Sequence, residues 1–173
     1  GMYLVDLKKW REEKVEDKII KRIHEQNGNV FFFEQTLMNW SCSGKILQLP
    51  PKYNAYTLFW AFTYKNLICW RKPNAFYLES EVEEAKDNPI IIHFTRNFYM
   101  LSRPWIKGCD HPKTKEYVKY KLLTPWKQLE EDNRSKKSIR RYKLWHIIPQ
   151  RILAIGAGVI YNEVRPKLWW KNE

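Results

Sequence analysis

A chain of 173 residues is long enough to bury one core and too short for two full-sized domains. Hydrophobic residues make up 44% and glycines number six, which excludes a disordered or fibrous protein. Lysine and arginine outnumber aspartate and glutamate by 31 to 19, and the formal charge of +12 favours anionic partners such as phosphates, nucleic acid or lipid headgroups.

The cysteines and the apolar stretches bear on the cellular compartment of the protein. Cys42, Cys69 and Cys109 lack close pairing, so the sequence predicts neither a disulfide framework nor a zinc site. The longest apolar stretch, residues 152–160, is far shorter than the roughly 20 residues that a membrane span needs. We therefore predict a cytoplasmic protein, either soluble or peripheral at the inner membrane face.

The first third of the chain predicts one strand followed by two helices. Residues 3–5 are apolar and short enough for a strand, and the residues after Lys8 show a helical period that Asn27-Gly28 ends. A second helix is predicted around Leu37, Met38 and Trp40, ending near Gly44. An extended run follows over residues 45–49.

The middle of the chain is less uniform. Residues 53–71 are rich in aromatic side chains but have no clean period, so helix and strand both stay open. Residues 80–86 predict a short acidic helix, residues 90–94 a buried strand, and residues 113–123 a helix that stops before Pro125. We place the end of the compact domain at Trp126, which gives a division into residues 1–126 and 127–173.

The last segment is strongly basic. Ten basic and two acidic residues follow Asn133, a local charge of +8. Residues 138–145 and 150–161 predict two basic helices separated by Pro149. Basic residues interleaved with bulky apolar ones favour a helix on an anionic membrane surface, here over residues 134–171 with Trp169 and Trp170 at the interface. The alternative is a pair of helices packed on the domain.

Two groups of polar residues are candidates for chemistry. Glu34 and Gln35 place a carboxylate beside an amide, and Asn39 lies one helical turn beyond Gln35 on the same face, an arrangement that can hold a polyhydroxylated ligand. The alternative is a capping role for Glu34. His93 ends an apolar strand, where a neutral imidazole can bind a metal, although a hydrogen-bonded histidine at a core boundary is equally ordinary.

Arginines follow His93 within ten residues. Arg96 and Arg103, in a loop that contains Pro104, present guanidinium groups that match phosphate oxygens. The alternative is an ordinary basic surface loop.

Five short blocks occur in a fixed order over residues 3–126. They are Leu7 to Arg11, Glu34-Gln35-Thr36 with Leu37 and Asn39, Leu49 to Asn54, Ile91 to Phe94, and Arg103-Pro104-Trp105. A helix and a Thr-Pro-Trp turn follow over residues 120–126. In this order the blocks resemble the retaining glycosyltransferases of family 8, which include glycogenin and bacterial lipopolysaccharide transferases.

The resemblance implies an α/β fold, the carboxy-terminal portion of a GT-A-type nucleotide-diphospho-sugar transferase domain, with a helical basic tail. It implies hexosyl transfer from a UDP-hexose to a saccharide or lipid-linked glycan. His93 would be a protein ligand of Mn²⁺ or Mg²⁺, and Arg103 would contact the diphosphate. Gln35 would lie beneath the anomeric carbon and Glu34 would hold the donor sugar. Asn39 and Arg96 complete the predicted substrate contacts.

The departures from the family pattern are concentrated at the site. Glu34 replaces an aspartate, Thr36 replaces a second acid, Arg96 stands where glycine is usual, and four extra residues separate His93 from Arg103. The family's amino-terminal nucleotide-binding half, with its Asp-x-Asp motif, is not in this sequence. We therefore expect weak metal binding, little activity of this chain alone, and dimerisation through an exposed sheet edge.

Two other functions are consistent with the sequence. A non-catalytic subunit would keep the fold and pair with a separate nucleotide-binding chain. A nucleic-acid-binding module would use the positive charge and the aromatic side chains, but most of the aromatics precede the basic segment, so nucleic acid is the less favoured partner.

Overall fold

The computed structural model describes residues 2–30, 32–71, 75–164 and 167. The chain forms two compact units, Gly1–Leu49 and Pro50–Glu173. The predicted boundary after Trp126 stays a prediction. Trp169 and Trp170, assigned above to a membrane interface, lie outside the described residues.

The first unit consists of three short helices, α1 (Leu7–Glu12), α2 (Val15–Glu25) and α3 (Glu34–Ser41). The Asp6 carboxylate begins α1 by accepting the N–H groups of Lys8 and Lys9 at 3.0 and 3.1 Å. The helix predicted up to Asn27-Gly28 is confirmed. Both of these residues adopt positive φ, and the Gly28 N–H closes the helix on the Ile23 carbonyl at 2.9 Å.

The two extended segments predicted in this unit form no strands. Residues 3–5 have no regular secondary structure, so the strand predicted there is wrong. Residues 45–49 also have none, which does not contradict the extended run predicted for them. A strand is stable only beside another strand that satisfies its backbone groups, and the described residues of this unit offer none.

The second unit contains one parallel pair, β1 (Ala55–Tyr56) and β2 (Ile92–His93), with Tyr56 opposite His93. A 3-10 turn (Pro51–Asn54) precedes β1. The strand predicted over residues 90–94 therefore exists but is short. It is not buried as predicted, since Ile90 and Ile91 are 57% and 39% exposed. Their N–H groups both donate to the Lys52 carbonyl, which bends the chain away from a longer ladder.

Helices supply the rest of the second unit. Residues 53–71, left open by the sequence, form the turn, β1 and two helices. The helices predicted near residues 80–86, 113–123, 138–145 and 150–161 are confirmed. The helices of this unit are α4 (Leu58–Ala61), α5 (Tyr64–Arg71), α6 (Glu79–Asp87), α7 (Thr114–Leu122), α8 (Lys136–Ile147) and α9 (Gln150–Val159). After α9, Ile160–Val164 continue as a π-helical turn.

Helix α9 packs on α5 and completes the core. Ala154 is fully buried among Phe59, Leu67 and Trp70. A Cβ on Gly158 would lie 3.0 Å from the Cys69 carbonyl oxygen, so the two backbones approach as closely as glycine allows. For α9, the packed-helix alternative therefore holds.

The Gln150 side chain fixes the start of α9. Its Oε1 accepts from Asn66 Nδ2 at 2.7 Å and from the Thr63 N–H at 3.3 Å, while its Nε2 donates to the Ala61 carbonyl at 3.0 Å. At the other end of the helix, Asn162 Nδ2 donates to the Trp70 carbonyl at 2.9 Å. Both ends of α9 are thus hydrogen-bonded to the helices of the core.

The architecture is mainly helical with a small parallel sheet, which is compatible with an α/β glycosyltransferase domain. No single helix in the described ranges is long and apolar enough to cross a membrane. Lys136–Ile147 and Gln150–Val164 reach that length and composition only as a pair, across a bend of 111°.

Candidate functional site

The candidate site begins at the carboxyl end of β2, in the parallel pair of strands. His93 is the last residue of β2, and its Nδ1 lies 3.1 Å from Asn54 Oδ1, in the turn that leads into β1. Because the amide oxygen only accepts, Nδ1 carries the proton and Nε2 carries the lone pair. Burial lowers the pKa of His93 below its ordinary 6.5, which keeps the imidazole neutral at pH 7.

Asn54 is a site residue that the sequence analysis missed as a functional group. It belongs to the Leu49 to Asn54 block, so the signal was present, but that block alone does not show which side chain Asn54 meets. The strand register explains the contact, because Tyr56 lies opposite His93 and the preceding turn brings Asn54 to the imidazole.

The loop after β2 is held by side-chain hydrogen bonds to its backbone. Thr57 Oγ1 accepts the Thr95 N–H at 2.9 Å, and Ser102 Oγ donates to the Thr95 carbonyl at 2.7 Å. Asn97 Oδ1 accepts the N–H groups of Tyr99 and Met100 at 2.8 and 2.7 Å. These bonds fix the backbone on which Arg96 and Arg103 are presented.

Arg96 and Arg103 both line one open groove of the second unit, about 1310 Å³ in volume. Arg96 is exposed, whereas Arg103 is half-buried and its guanidinium lies 5.6 Å from the centre of the Trp105 ring. Arg103 Nε is buried and has no hydrogen-bond partner among the described residues. The structure therefore brings these two predicted residues together, on the loop that follows His93.

Glu34, Gln35 and Asn39 lie in the first unit, on α3. All three side chains are exposed, while Leu37 of the same helix is buried. The predicted helical face is therefore present and open to solvent. The prediction that Gln35 shares a cleft with His93 and Arg103 stays a prediction.

The residues do not fit a metal site on their own. Within residues 2–30, 32–71, 75–164 and 167, no three histidine, cysteine, aspartate or glutamate side chains lie close enough together to hold an ion. His93 has an amide as its neighbour, and one imidazole is a poor site for a hard divalent cation, which needs several oxygen ligands. The assignment of His93 as a ligand of Mn²⁺ or Mg²⁺ stays a prediction.

A second histidine of the second unit, His111, is buried. Its ring lies between Trp60 and Phe94, each with a centroid separation of 4.8 Å, and its Nδ1 accepts the Lys113 N–H at 3.2 Å. Burial, and to a smaller extent Lys113, lower the pKa of His111 to about 4. The sequence analysis did not single out this residue, because nothing in its local sequence indicates burial.

Two known proteins are similar in sequence to this chain. Lipopolysaccharide 1,2-glucosyltransferase of Escherichia coli (strain K12) is 29% identical over 167 residues, 93% of this chain and 44% of that protein. General stress protein A of Bacillus subtilis (strain 168) is 25% identical over 128 residues, 73% of this chain and 41% of that protein. The chain thus spans less than half the length of these relatives.

No solved structure matches the chain significantly. The sequence model of glycosyl transferase family 8 matches residues 1–107, which contain His93, Asn54, Arg96 and Arg103. Because that match covers more than half of the sequence, the chain belongs to glycosyl transferase family 8.

Proposed function

We propose that this chain acts in the transfer of a hexosyl group from a nucleotide sugar of the UDP-hexose class to a saccharide or lipid-linked glycan. Family membership supports glycosyl transfer in general, and the Escherichia coli relative is named as a glucosyltransferase. Retention of anomeric configuration and a GT-A-type domain are parts of the proposal that rest on the family resemblance alone.

The observation that supports the proposal best is that Arg96 and Arg103 line one groove, on the loop that follows His93 at the end of β2. Ligands of α/β proteins bind beyond the carboxyl ends of parallel strands, and these residues follow such an end. A guanidinium with a buried, unpaired Nε is suited to an oxyanion, and positive charge there stabilises the negative charge that develops on a diphosphate leaving group. His93 Nε2 offers a lone pair to a hydroxyl donor of the ligand.

We assign the donor sugar to α3. Gln35 and Asn39 are exposed at a spacing of four residues, and Glu34 begins the helix. Amide and carboxylate groups on one helical face can bind several sugar hydroxyls at once. Gln35 either attacks the anomeric carbon or only contacts the sugar. Detection of a trapped, glycosylated Gln35 by mass spectrometry would show that it attacks.

The test is isothermal titration of UDP into this chain, with and without Mn²⁺. We expect saturable binding in the micromolar range. Arg103→Gln should weaken it by about tenfold, because a hydrogen bond to a charged group contributes roughly 1.5–3 kcal/mol. Lys115→Gln on α7 removes the same charge from an exposed position that does not line the groove, and should leave the affinity unchanged.

Two outcomes contradict the proposal. If UDP does not bind in either condition, the chain is better described as a non-catalytic subunit that pairs with a nucleotide-binding chain. If Arg103→Gln and Lys115→Gln weaken binding equally, the interaction depends on net charge and the loop is an ordinary basic surface.

A peripheral association with anionic membranes is a second part of the proposal. Ile147, at the end of α8, is 78% exposed, and Leu144 and Ile155 are also exposed. Arg140 and Lys143 lie on the same stretch of α8. Apolar and basic side chains together favour the surface of an anionic bilayer. Formation of a homodimer stays a prediction.

A further inference from the structure

The large groove of the second unit has a lining that the nucleotide proposal uses only in part. Besides the loop that bears Arg96 and Arg103, two segments of the tail contribute, residues 133–145 and residues 148–161. Its volume of about 1310 Å³ exceeds the roughly 300–1,000 Å³ of ordinary small-molecule pockets. A ligand of more than nucleotide size therefore fits in it.

The lining is strongly asymmetric in charge. It contains five cationic side chains and no acidic one, and three of the cations, Arg134, Lys137 and Arg141, come from the beginning of the tail. The first turn of α8 also contributes Ser135 and Ser138, and the N–H groups of a first helical turn favour anions. This end of the groove is complementary to a negative group.

Besides Arg103 Nε, three further N–H donors of the lining residues are buried and have no hydrogen-bond partner in the described part of the chain. They are Asn97 Nδ2, Arg134 Nη2 and Trp145 Nε1. The other polar atoms of two of these residues are engaged, since Asn97 Oδ1 accepts two backbone N–H groups and Arg134 Nε donates to the Lys107 carbonyl at 3.2 Å. Buried donors without acceptors are rare in native proteins, so we expect oxygen atoms of a ligand or of water beside these N–H groups.

Much of the remaining lining is apolar. Aliphatic side chains dominate it where the groove follows α9, and Phe98, which lies 5.9 Å from the Trp145 ring, connects this part to the charged end. A sugar or a nucleotide has no group that matches a run of isoleucines, whereas a hydrocarbon chain does. The apolar members include Met100, Leu101, Ile148, Ile152, Leu153 and Ile160.

We propose that this groove binds a phosphate-bearing lipid, with the phosphate among Arg134, Lys137 and Arg141 and the hydrocarbon chain along α9. One occupant then matches both the positive charge and the aliphatic lining. That this lipid carries the glycan acceptor rests on the proposed function, and it makes a lipid-linked phosphorylated glycan the acceptor class. The binding itself does not depend on nucleotide-sugar chemistry.

The experiment is isothermal titration of the whole chain with dihexanoyl phosphatidic acid, kept below its micelle-forming concentration so that one molecule is tested at a time. Glycerol 3-phosphate tests the phosphate without chains, and dihexanoyl phosphatidylcholine tests the chains without net charge. We expect one phosphatidic acid per chain, bound at least about tenfold more tightly than either comparison ligand.

Matched variants locate the site. Arg141→Gln should weaken phosphatidic acid binding by about tenfold, and Lys136→Gln, at an exposed position of α8 that does not line the groove, should not. Ile152→Asn should weaken binding of phosphatidic acid but not of glycerol 3-phosphate, whereas Val159→Asn, also exposed on α9 but outside the lining, should change neither. Circular dichroism of each variant checks that it folds.

The proposal is overturned if binding does not saturate, or if the members of either pair of variants behave alike, because lipid would then coat the basic surface without a defined site. It is also overturned if UDP competes with phosphatidic acid for the same site, since the anion site of the groove would then be the nucleotide-binding site. Lipid binding without UDP binding would keep this inference and remove the proposed transferase function.

Discussion

Acid should destabilise this protein through His111. The ring is 3% exposed, and its Nδ1 accepts the Lys113 N–H, so the proton of the neutral ring is on Nε2. Nε2 is buried and has no hydrogen-bond partner among the described residues. A second ring proton would therefore charge the imidazole between Trp60 and Phe94, where no carboxylate is paired with it.

The sign and size follow from the pKa of His111 in each state. It is 6.5 in the unfolded chain and about 4 in the fold, so as pH falls the unfolded state binds the proton first. The stability is complete above pH 6.5 and is lost between pH 6.5 and 4. The loss is about 3 kcal/mol in total and roughly 2 kcal/mol at pH 5, since one pKa unit corresponds to about 1.4 kcal/mol.

The assay is urea unfolding at pH 7.5 and pH 5.0 for the parent chain, His111→Gln and His24→Gln. Carboxylates also titrate over this range, but they do so in all three proteins and cancel in the comparison. We expect His111→Gln to lose about 2 kcal/mol of the pH dependence, whereas His24→Gln, an exposed position on α2, retains it. Equal pH dependence in the parent chain and His111→Gln would refute the reasoning.

Three further predictions concern the tail helices. Gly158→Ala should destabilise the fold by roughly 1–3 kcal/mol, because the new methyl group meets the Cys69 carbonyl. Gly156→Ala, with open space around it, should stabilise the fold by up to about 1 kcal/mol. Thermal unfolding of both variants tests these two signs. Gln150→Ala should cost about 1–3 kcal/mol in urea unfolding because it leaves the nearly buried Asn66 amide without its acceptor, and a smaller cost than that of an exposed substitution such as Lys127→Ala would contradict it. Arg140→Gln with Lys143→Gln should release the chain from anionic vesicles, each basic residue contributing about 1 kcal/mol; co-sedimentation that is equal with neutral vesicles would remove the membrane proposal.

The helices were predictable because their signals are local. The acidic stretch that became α6 and the basic stretches that became α8 and α9 show their period, their caps or their flanking prolines within a dozen residues. The strands were not, because a strand depends on a distant partner. Nothing near residues 3–5 shows that no strand pairs with them, and nothing near Ile90 shows that its N–H bonds to Lys52.

The same distinction separates the parts of the candidate site. The Ile91 to Phe94 block and the arginines after it were recognisable as a motif, and the structure brings Arg96 and Arg103 to one groove. The contact of His93 with Asn54 spans 39 residues, and the groove joins the loop to tail segments more than 30 residues away. Those associations are set by packing, which a single sequence does not display.

The docking of α9 has a consequence for how the protein is made. Gln150 bonds to residues 84 and 89 positions earlier, and Ala154 fills a space beside Trp70. Once α5 has left the ribosome and before α9 follows it, the surface that will receive α9 is open to water. The second unit can close only when α9 has left the exit tunnel, so a nascent chain stalled before Gln150 should expose this apolar surface and bind chaperones.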